Sequence, residues 1–188
     1  MYKRRASILA INEGIDAIQQ ALSQNAWEVN WEGNRLLLSI EDMQMQEHHL
    51  RMLSTPKTYN LFKWLPFNND NYRKWKDCAN LSERIVLLER ILASQLIAFV
   101  AAMNYRLPER LEVNLQNIQN METVTCHGTQ MVAFNVSYTA NLLLPPHIAI
   151  GNSVSHGFGW QVPARINHRQ AENKTKKEKK QLFLDNAL

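Results

Sequence analysis

The sequence feature that most constrains the fold is a wide apolar stripe at helical spacing between residues 85 and 103. Charged residues such as Glu89 and Arg90 occupy the opposite positions. A helix with one apolar face has to bury that face against another part of the chain. The pattern therefore predicts a helix that ends near Met103 and covers a hydrophobic surface. The apolar members of the stripe are Ile85, Leu88, Leu92, Leu96, Phe99 and Val100.

Helix-start signals place two helices in this region. Asn80 with Glu83 resembles a capping box, in which a side chain before the helix and a glutamate in its first turn satisfy free amides. Further upstream, Asn69 or Asp70 is the candidate cap of a short helix that ends near Lys76.

Alternating apolar and polar residues predict strands on both sides of the helices. The segments are 59–65, 111–119, 131–143 and 158–162, with a turn at His127-Gly128. The order strand, helix, strand, strand, loop, strand predicts an α+β fold in which helices cover one face of an antiparallel sheet. This order resembles a ferredoxin-like module.

The residues before this module predict part of a second one. Asn12 to Gln24 has the pattern of a short amphipathic helix, and residues 27–40 alternate as a hairpin with one buried face. Residues 41–55 are expected to be a linker or a loosely packed helix, closed by Pro56. The predicted domains are an incomplete N-terminal ferredoxin-like domain (1–56), a C-terminal ferredoxin-like domain (57–164) and a basic flexible tail (165–188).

Half of the six glycines, Gly151, Gly157 and Gly159, lie directly after Leu144-Pro145-Pro146. Glycine suits a positive φ and a close approach to a ligand, and successive exposed amides in such a loop form an anion-binding concavity. A phosphate is the expected guest. The alternative is a tight connection between strands that needs glycine for its geometry alone.

Length and composition exclude several classes of protein. With 188 residues of which 45% are hydrophobic, the chain is long enough for one domain, or for one domain and part of another. Cys78 and Cys126 show neither CxxC nor Cys/His ligand spacing, so neither a disulfide framework nor a metal site is expected. No segment is expected to span a membrane or to direct secretion, which predicts a soluble, cytoplasmic protein. The signatures GxxxxGK[ST], HExxH and GxSxG are absent, and no cofactor is predicted.

Basic residues are concentrated in two places. Residues 165–188 contain seven Lys/Arg and three Asp/Glu, which accounts for the whole net charge of +4. A second basic group, which includes Lys63, Arg73 and Lys74, is interleaved with aromatic residues between Lys57 and Lys76. Cations mixed with aromatic rings suit a nucleic acid strand whose bases stack on the rings. The alternative is that most of these rings are core residues.

One family resemblance rests on the glycine spacing. Ala149-Ile150-Gly151, five residues, then Gly157-Phe158-Gly159 resembles the C-terminal glycine-rich signature of the CRISPR repeat-RNA processing endoribonucleases, in the RAMP superfamily. Upstream segments resemble the same family in order. They are residues 59–68, Asn71-Tyr72, residues 87–92 and residues 134–145.

The resemblance implies two ferredoxin-like domains that bind precursor CRISPR RNA at a repeat and cleave it without metal, for antiviral defence. A ribose 2′-hydroxyl attacks the adjacent phosphate and leaves a 2′,3′-cyclic phosphate. RNA is the implied partner, with other CRISPR effector subunits as further candidates. The implied RNA-binding residues are Gly151, Asn152, Ser153, Ser155, His156, Gly157 and Gly159, together with Lys63, Arg73 and Lys74.

The chain departs from the family pattern in two respects. Ala149 replaces the first glycine, and residues 152–156 contain no Lys or Arg. The family also places a strand, and usually the catalytic histidine, before its first helix, where this chain has only residues 1–11. The chain is therefore expected to be incomplete at its amino terminus.

The catalytic base is not identified by the sequence. His48 and His49, in a polar stretch, are the candidates, and His156 is the histidine best placed to meet phosphate. Three hypotheses remain open. The chain is a CRISPR RNA-processing ribonuclease, a non-catalytic RNA-binding relative or truncated remnant, or an unrelated ferredoxin-like interaction domain.

Overall fold

The computed structural model describes residues 8–23, 28–37 and 39–164, so the predicted basic tail at 165–188 lies outside the described residues. The described chain forms three helices and six strands. In chain order they are α1 (Gly14–Leu22), β1 (Glu28–Trp31), β2 (Asn34–Leu37), β3 (Arg51–Trp64), α2 (Asn69–Asp77), α3 (Leu81–Ala102), β4 (Val113–Cys126), β5 (Thr129–Leu143) and β6 (Trp160–Pro163).

Four of the strands form one antiparallel sheet in the order β4-β5-β3-β6. Strands β1 and β2 pair separately as a hairpin. The α+β fold with an antiparallel sheet is therefore confirmed. In the position of a second crossover helix, between β5 and β6, the chain instead forms a loop with one short 3-10 turn, Val154–His156.

The core lies between α3 and one face of the sheet. Alternate residues of a strand face opposite sides, and the inward set on β3 and β5 includes Tyr59, Leu61, Phe134 and Val136. The predicted stripe of α3 supplies the other half of the core. Its fully buried members are Leu88, Leu92, Leu96 and Val100, joined by Ile91.

Helix α3 is long and apolar enough to cross a membrane by length and composition alone. This corrects the expectation that the chain has no such segment. One face of this helix, with Leu88, Leu92 and Leu96, is buried in the core, whereas Val86 and Ile97 are exposed.

Side chains cap the starts of α2 and α3, and the cap of α2 is a residue other than those predicted. Asn80 Oδ1 accepts from the Glu83 amide at 2.9 Å, and Glu83 Oε2 accepts from the Ala79 amide at 2.9 Å, which confirms a capping box for α3. Helix α2 is capped by Asn68, whose Oδ1 accepts from the Asn71 amide at 2.8 Å. The candidates Asn69 and Asp70 lie inside the helix.

Glu89 was expected on the solvent face of α3 and is half-buried. Its Oε1 accepts a hydrogen bond from the Leu115 amide at 2.8 Å. Leu115 lies on the outer strand β4, immediately before a register shift in the β4-β5 ladder. Among the described strands β4 lies at the edge of the sheet, and the carboxylate accepts from one of its amides.

Two expectations for residues before Pro56 need correction. Residues 41–50 are irregular chain, but the segment from Arg51 onward is already part of β3, which runs through Pro56. The predicted hairpin forms, yet all four residues of β2 are exposed, so its expected buried face is absent from that strand. The division of the chain at residue 56 stays a prediction.

Buried tyrosines hold both ends of the β5-β6 connection. Tyr59 Oη donates to the Leu142 carbonyl at 2.8 Å and accepts from the Leu144 amide at 3.1 Å. Tyr138 Oη donates to the side chain of Gln161 on β6. Burial raises the pKa of the Tyr138 phenol well above its usual value, so the hydroxyl stays protonated and continues to donate.

Candidate functional site

The glycine loop, residues 148–159, is attached to the sheet by backbone hydrogen bonds at both of its ends. Ile150 N donates to Gly159 O at 2.8 Å, which closes the base of the loop. Gly159 N donates to Lys63 O at 3.1 Å, and Asn152 N donates to Leu65 O at 3.1 Å. The loop is therefore held against the end of β3.

The glycines of the loop have two different roles. A Cβ atom on Gly159 would lie 1.9 Å from Ile150 O, and one on Gly151 would lie 2.8 Å from Trp64 Cδ1. Both positions therefore require glycine for close packing and for their positive φ angles. Gly157 has φ +82°, but a Cβ there would meet nothing within 4 Å. This glycine shapes the tip without packing against anything.

The tip of the loop, Val154 to Gly157, is exposed. Two amides of the tip are bonded within the loop: His156 N donates to Ser153 O at 2.9 Å and Gly157 N donates to Val154 O at 3.1 Å. The side chains of Ser155 and His156 are exposed at the same tip. The binding of a phosphate by this loop stays a prediction.

Asn152 was predicted to bind RNA, and in the structure its side chain makes contacts within the protein. Its Nδ2 donates to Leu65 O and to Phe67 O, both at 3.1 Å. These carbonyls belong to the segment that leads from β3 into α2. The half-buried side chain therefore ties the loop to this segment.

Replacing Asn152 with alanine is expected to lower the free energy of unfolding by about 1–3 kcal/mol, because the Phe67 carbonyl loses the Asn152 side-chain donor and the Leu65 carbonyl keeps only the Asn152 amide. Urea unfolding followed by circular dichroism measures this change. Ser155→Ala, at the exposed tip, is the matched control and is expected to change stability by less than about 0.5 kcal/mol. Equal effects of the two substitutions would contradict the anchoring role of Asn152.

An aromatic patch lies beside the loop, on the face of the sheet that the described helices leave open. We define it as Phe62, Trp160 and His147. Phe62 and Trp160 are directly opposite each other in the β3-β6 ladder and so share a face. The rings of His147 and Trp160 have centroids 5.4 Å apart. Lys63, the residue after Phe62, is exposed and brings a cation next to the patch.

Polar side chains from three strands are also linked across the sheet. Ser137 Oγ donates to Asn60 Oδ1 at 2.7 Å, and Gln119 Nε2 donates to Ser137 Oγ at 2.8 Å. These residues belong to β5, β3 and β4, so the contacts cross the sheet. Amides and hydroxyls of this kind can bond to base edges and to ribose hydroxyls.

The other basic candidates lie on the opposite side of the sheet. Arg73 and Lys74 belong to α2, whose Trp75 packs against the core residue Phe134. Both cations are exposed there. The structure therefore brings only Lys63, of the three basic candidates, next to the glycine loop.

Most of the aromatic rings between residues 57 and 76 are core residues or dock a helix. Tyr59, Trp64 and Phe67 are buried, which confirms the alternative stated for this segment. Phe62 and Tyr72 remain partly exposed, and Tyr72 lies on α2. The aromatic patch therefore combines one ring from this segment with a ring from β6.

The two catalytic candidates lie in the irregular segment before β3. His49 is exposed, with Nε2 3.5 Å from Glu47 Oε1. His48 is half-buried, and its Nε2 has no hydrogen-bond partner within the part of the chain that the structure describes. Neither contacts the glycine loop through a described hydrogen bond, so their role stays a prediction.

A comparison with known families identifies the domain that contains the glycine loop. The sequence model of the Cas6b C-terminal domain matches residues 51–163, more than half of the chain. The chain belongs to the Cas6b family. This match removes the hypothesis of an unrelated interaction domain. It spans β3 to β6 and includes the glycine loop and the aromatic patch, whereas His48 and His49 precede the matched residues.

Solved structures agree with the Cas6b fold. A crystal structure of Cas6b superimposes with a TM-score of 0.71 at 21% identity, covering 81% of this chain and 69% of that one. A crystal structure of the CRISPR RNA processing endoribonuclease Cas6b gives a TM-score of 0.64 at 22% identity, covering 81% of this chain and 72% of that one. At these identities the similarity demonstrates the fold.

A curated relative is an uncharacterized protein of Methanocaldococcus jannaschii. It is 27% identical over 96 residues, which span 51% of this chain and 64% of the relative. The match thus covers less than two thirds of the relative's length.

Sequence reasoning missed two parts of the site. Trp160 was placed on a strand, but nothing in its local pattern shows that it faces Phe62, because that depends on the pairing of β6 with β3. The contact between His127 and His156 was also missed, since their rings come from two separate turns. The alternation of polar residues along β5 was a sequence signal that one face of this strand is not packed in the core.

Proposed function

We propose that this chain binds the repeat of a CRISPR transcript and takes part in its cleavage to guide RNA, in the cytoplasm. The observation that carries the proposal is the Cas6b C-terminal domain at residues 51–163, in which the base of the glycine loop adjoins the aromatic patch through the bridge between Ala149 and Trp160. A ribonuclease and a non-catalytic RNA-binding relative are both compatible with this domain, and the experiments below separate them.

The open face of the sheet suits single-stranded RNA. Phe62 and Trp160 are each 37% exposed, so each has a free surface on which a base can stack. Lys63 supplies a cation for the backbone, and Ser137 and Gln119 supply hydrogen-bonding groups. The tip residues Ser155 and His156 extend the surface on the side of the glycine loop.

The proposed reaction is metal-independent and uses a nucleophile within the RNA. A base removes the proton of a ribose 2′-hydroxyl, whose oxygen attacks the adjacent phosphorus. The bond to the 5′-oxygen of the next nucleotide breaks, and that oxygen takes up a proton. A 2′,3′-cyclic phosphate and a free 5′-hydroxyl result. The chain's contribution is to hold the phosphate and ribose in line for attack.

Cleavage is tested by incubating the full chain with end-labelled repeat RNA in EDTA. The expected product carries a 2′,3′-cyclic phosphate. It is recognised because phosphatase removes the phosphate only after acid has opened the cyclic ester. A matched RNA with a 2′-deoxyribose at the cleaved position should bind and remain intact. Binding without cleavage would support the non-catalytic relative, and neither binding nor cleavage would overturn the proposal.

Replacing Trp160 with alanine is expected to weaken repeat-RNA binding by about tenfold or more, because base stacking on an aromatic ring contributes about 1–3 kcal/mol. A filter-binding titration measures the change. Tyr72→Ala is the matched control, since Tyr72 is also 37% exposed but lies on α2. Equal losses from the two variants would exclude the open face as the RNA surface.

A further inference from the structure

Cys126, His127 and His156 bring three metal-ligating side chains together at one end of the domain. Their ligand atoms, one sulfur and two imidazole nitrogens, all lie within 4.8 Å of one another. Sulfur and imidazole nitrogen are preferred ligands of Zn²⁺, whereas Mg²⁺ prefers oxygen. We propose that these residues form a zinc site with three protein ligands and one position open to solvent.

The backbone holds two of the ligands in fixed positions. Cys126 is the last residue of β4, and His127-Gly128 forms the two-residue turn into β5. His127 has φ +49° and Gly128 has φ +74°, as in the tight turns that match the twist of a hairpin. Cys126 is buried and His127 is exposed, so at this turn one ligand lies below the protein surface and the next one lies on it.

The third ligand comes from the tip of the glycine loop. His156 ends the 3-10 turn, and its ring lies edge-on to that of His127 with centroids 4.2 Å apart. This is closer than the roughly 4.5–7 Å usual for aromatic pairs. His156 Nδ1 lies 3.2 Å from Ser155 Oγ, which leaves Nε2 to coordinate the metal. Zinc-bound histidines commonly use their second nitrogen in such a hydrogen bond.

The arrangement needs only a small contraction to coordinate zinc. With Zn–N bonds of about 2.0 Å and a Zn–S bond of about 2.3 Å, tetrahedral ligand atoms are roughly 3.5 Å apart. Rotation of the two exposed imidazoles toward the buried sulfur closes the difference. Bound zinc would join the tip of the glycine loop to the β4-β5 turn, two segments that no described hydrogen bond connects.

The test uses Co²⁺ as a spectroscopic probe for zinc on the metal-free full chain. A thiolate-to-cobalt charge-transfer band that zinc abolishes and magnesium leaves unchanged is the expected result. Cys126→Ser should remove the band, and His156→Ala should weaken cobalt binding by about tenfold or more, because each takes away a ligand. Cys78→Ser and His147→Ala, which lie outside the cluster, should leave the titration unchanged.

Three outcomes would overturn the zinc site. The first is the absence of the charge-transfer band in the natural chain, and the second is its persistence in Cys126→Ser. The third is a loss of cobalt binding in Cys78→Ser and His147→Ala that equals the loss in His156→Ala. Circular dichroism checks that each variant is folded, and His156→Ala alters only an exposed side chain. The readout needs no RNA, so its result is independent of the proposed function.

Discussion

Replacing Gly159 with alanine should lower the free energy of unfolding by at least about 3 kcal/mol. The added Cβ would lie 1.9 Å from Ile150 O and 2.8 Å from Ile150 C, and neither backbone atom can rotate away. Relieving the overlap would break the 2.8 Å bond from Ile150 N to Gly159 O and the bridge between Ala149 and Trp160. The residue would also keep a φ of +71°, which L-residues disfavour by about 1–2 kcal/mol.

Gly157→Ala is the matched control for this prediction. Gly157 has a similar positive φ, but its Cβ would meet no atom within 4 Å, so only the backbone cost of about 1–2 kcal/mol applies. Urea unfolding of the two variants measures the difference. If Gly157→Ala and Gly159→Ala lower the free energy of unfolding equally, the close contact between Gly159 and Ile150 is contradicted.

Replacing Trp64 with alanine should cost about 3–5 kcal/mol of unfolding free energy, as is typical when a buried aromatic ring is removed. Trp64 is fully buried, and its ring lies 6.2 Å from that of Phe134. Its Nε1 donates to Gln95 Oε1 at 2.7 Å, so the substitution also leaves a polar group of α3 without its donor. The same ring lies directly beneath Gly151, so the glycine loop loses its support.

Two variants separate these contributions in the same unfolding experiment. Trp64→Phe keeps a ring but loses the indole donor, and is expected to be destabilised less than Trp64→Ala. Trp160→Ala should cost less than about 1 kcal/mol because that ring is partly exposed on the open face. A stability loss in Trp160→Ala as large as in Trp64→Ala would contradict the assignment of one ring to the core and the other to the surface.

Local pattern predicted the helices and strands well, and its errors have local causes. The capping box at Asn80 and Glu83 was confirmed because it depends on residues within a single turn. The cap of α2 was displaced to Asn68, since several adjacent Asn and Asp residues offer equivalent side chains. Strand β3 extends back through Pro56, where composition alone indicated a boundary.

The candidate site was predicted less completely, because its parts meet only in the folded chain. The positions of the loop glycines were visible, but not that Gly151 and Gly159 are packed while Gly157 is free. Asn152 matched a binding signature, and its side chain also holds the loop in place, which the sequence did not indicate. A sequence signature does not show which of its residues contact a ligand and which of them shape the backbone.

By itself the sequence determined the period of each element, the apolar face of α3, the glycine spacing and, through these, the family. Those properties depend on neighbours within a few residues, so they can be inferred from the order of side chains. Only the tertiary structure decided that Phe62 faces Trp160, that His127 meets His156, and that Gly159 N bonds to Lys63 O on β3. These contacts join distant segments, and they are set by how the strands pair and how tightly the loop closes on the sheet.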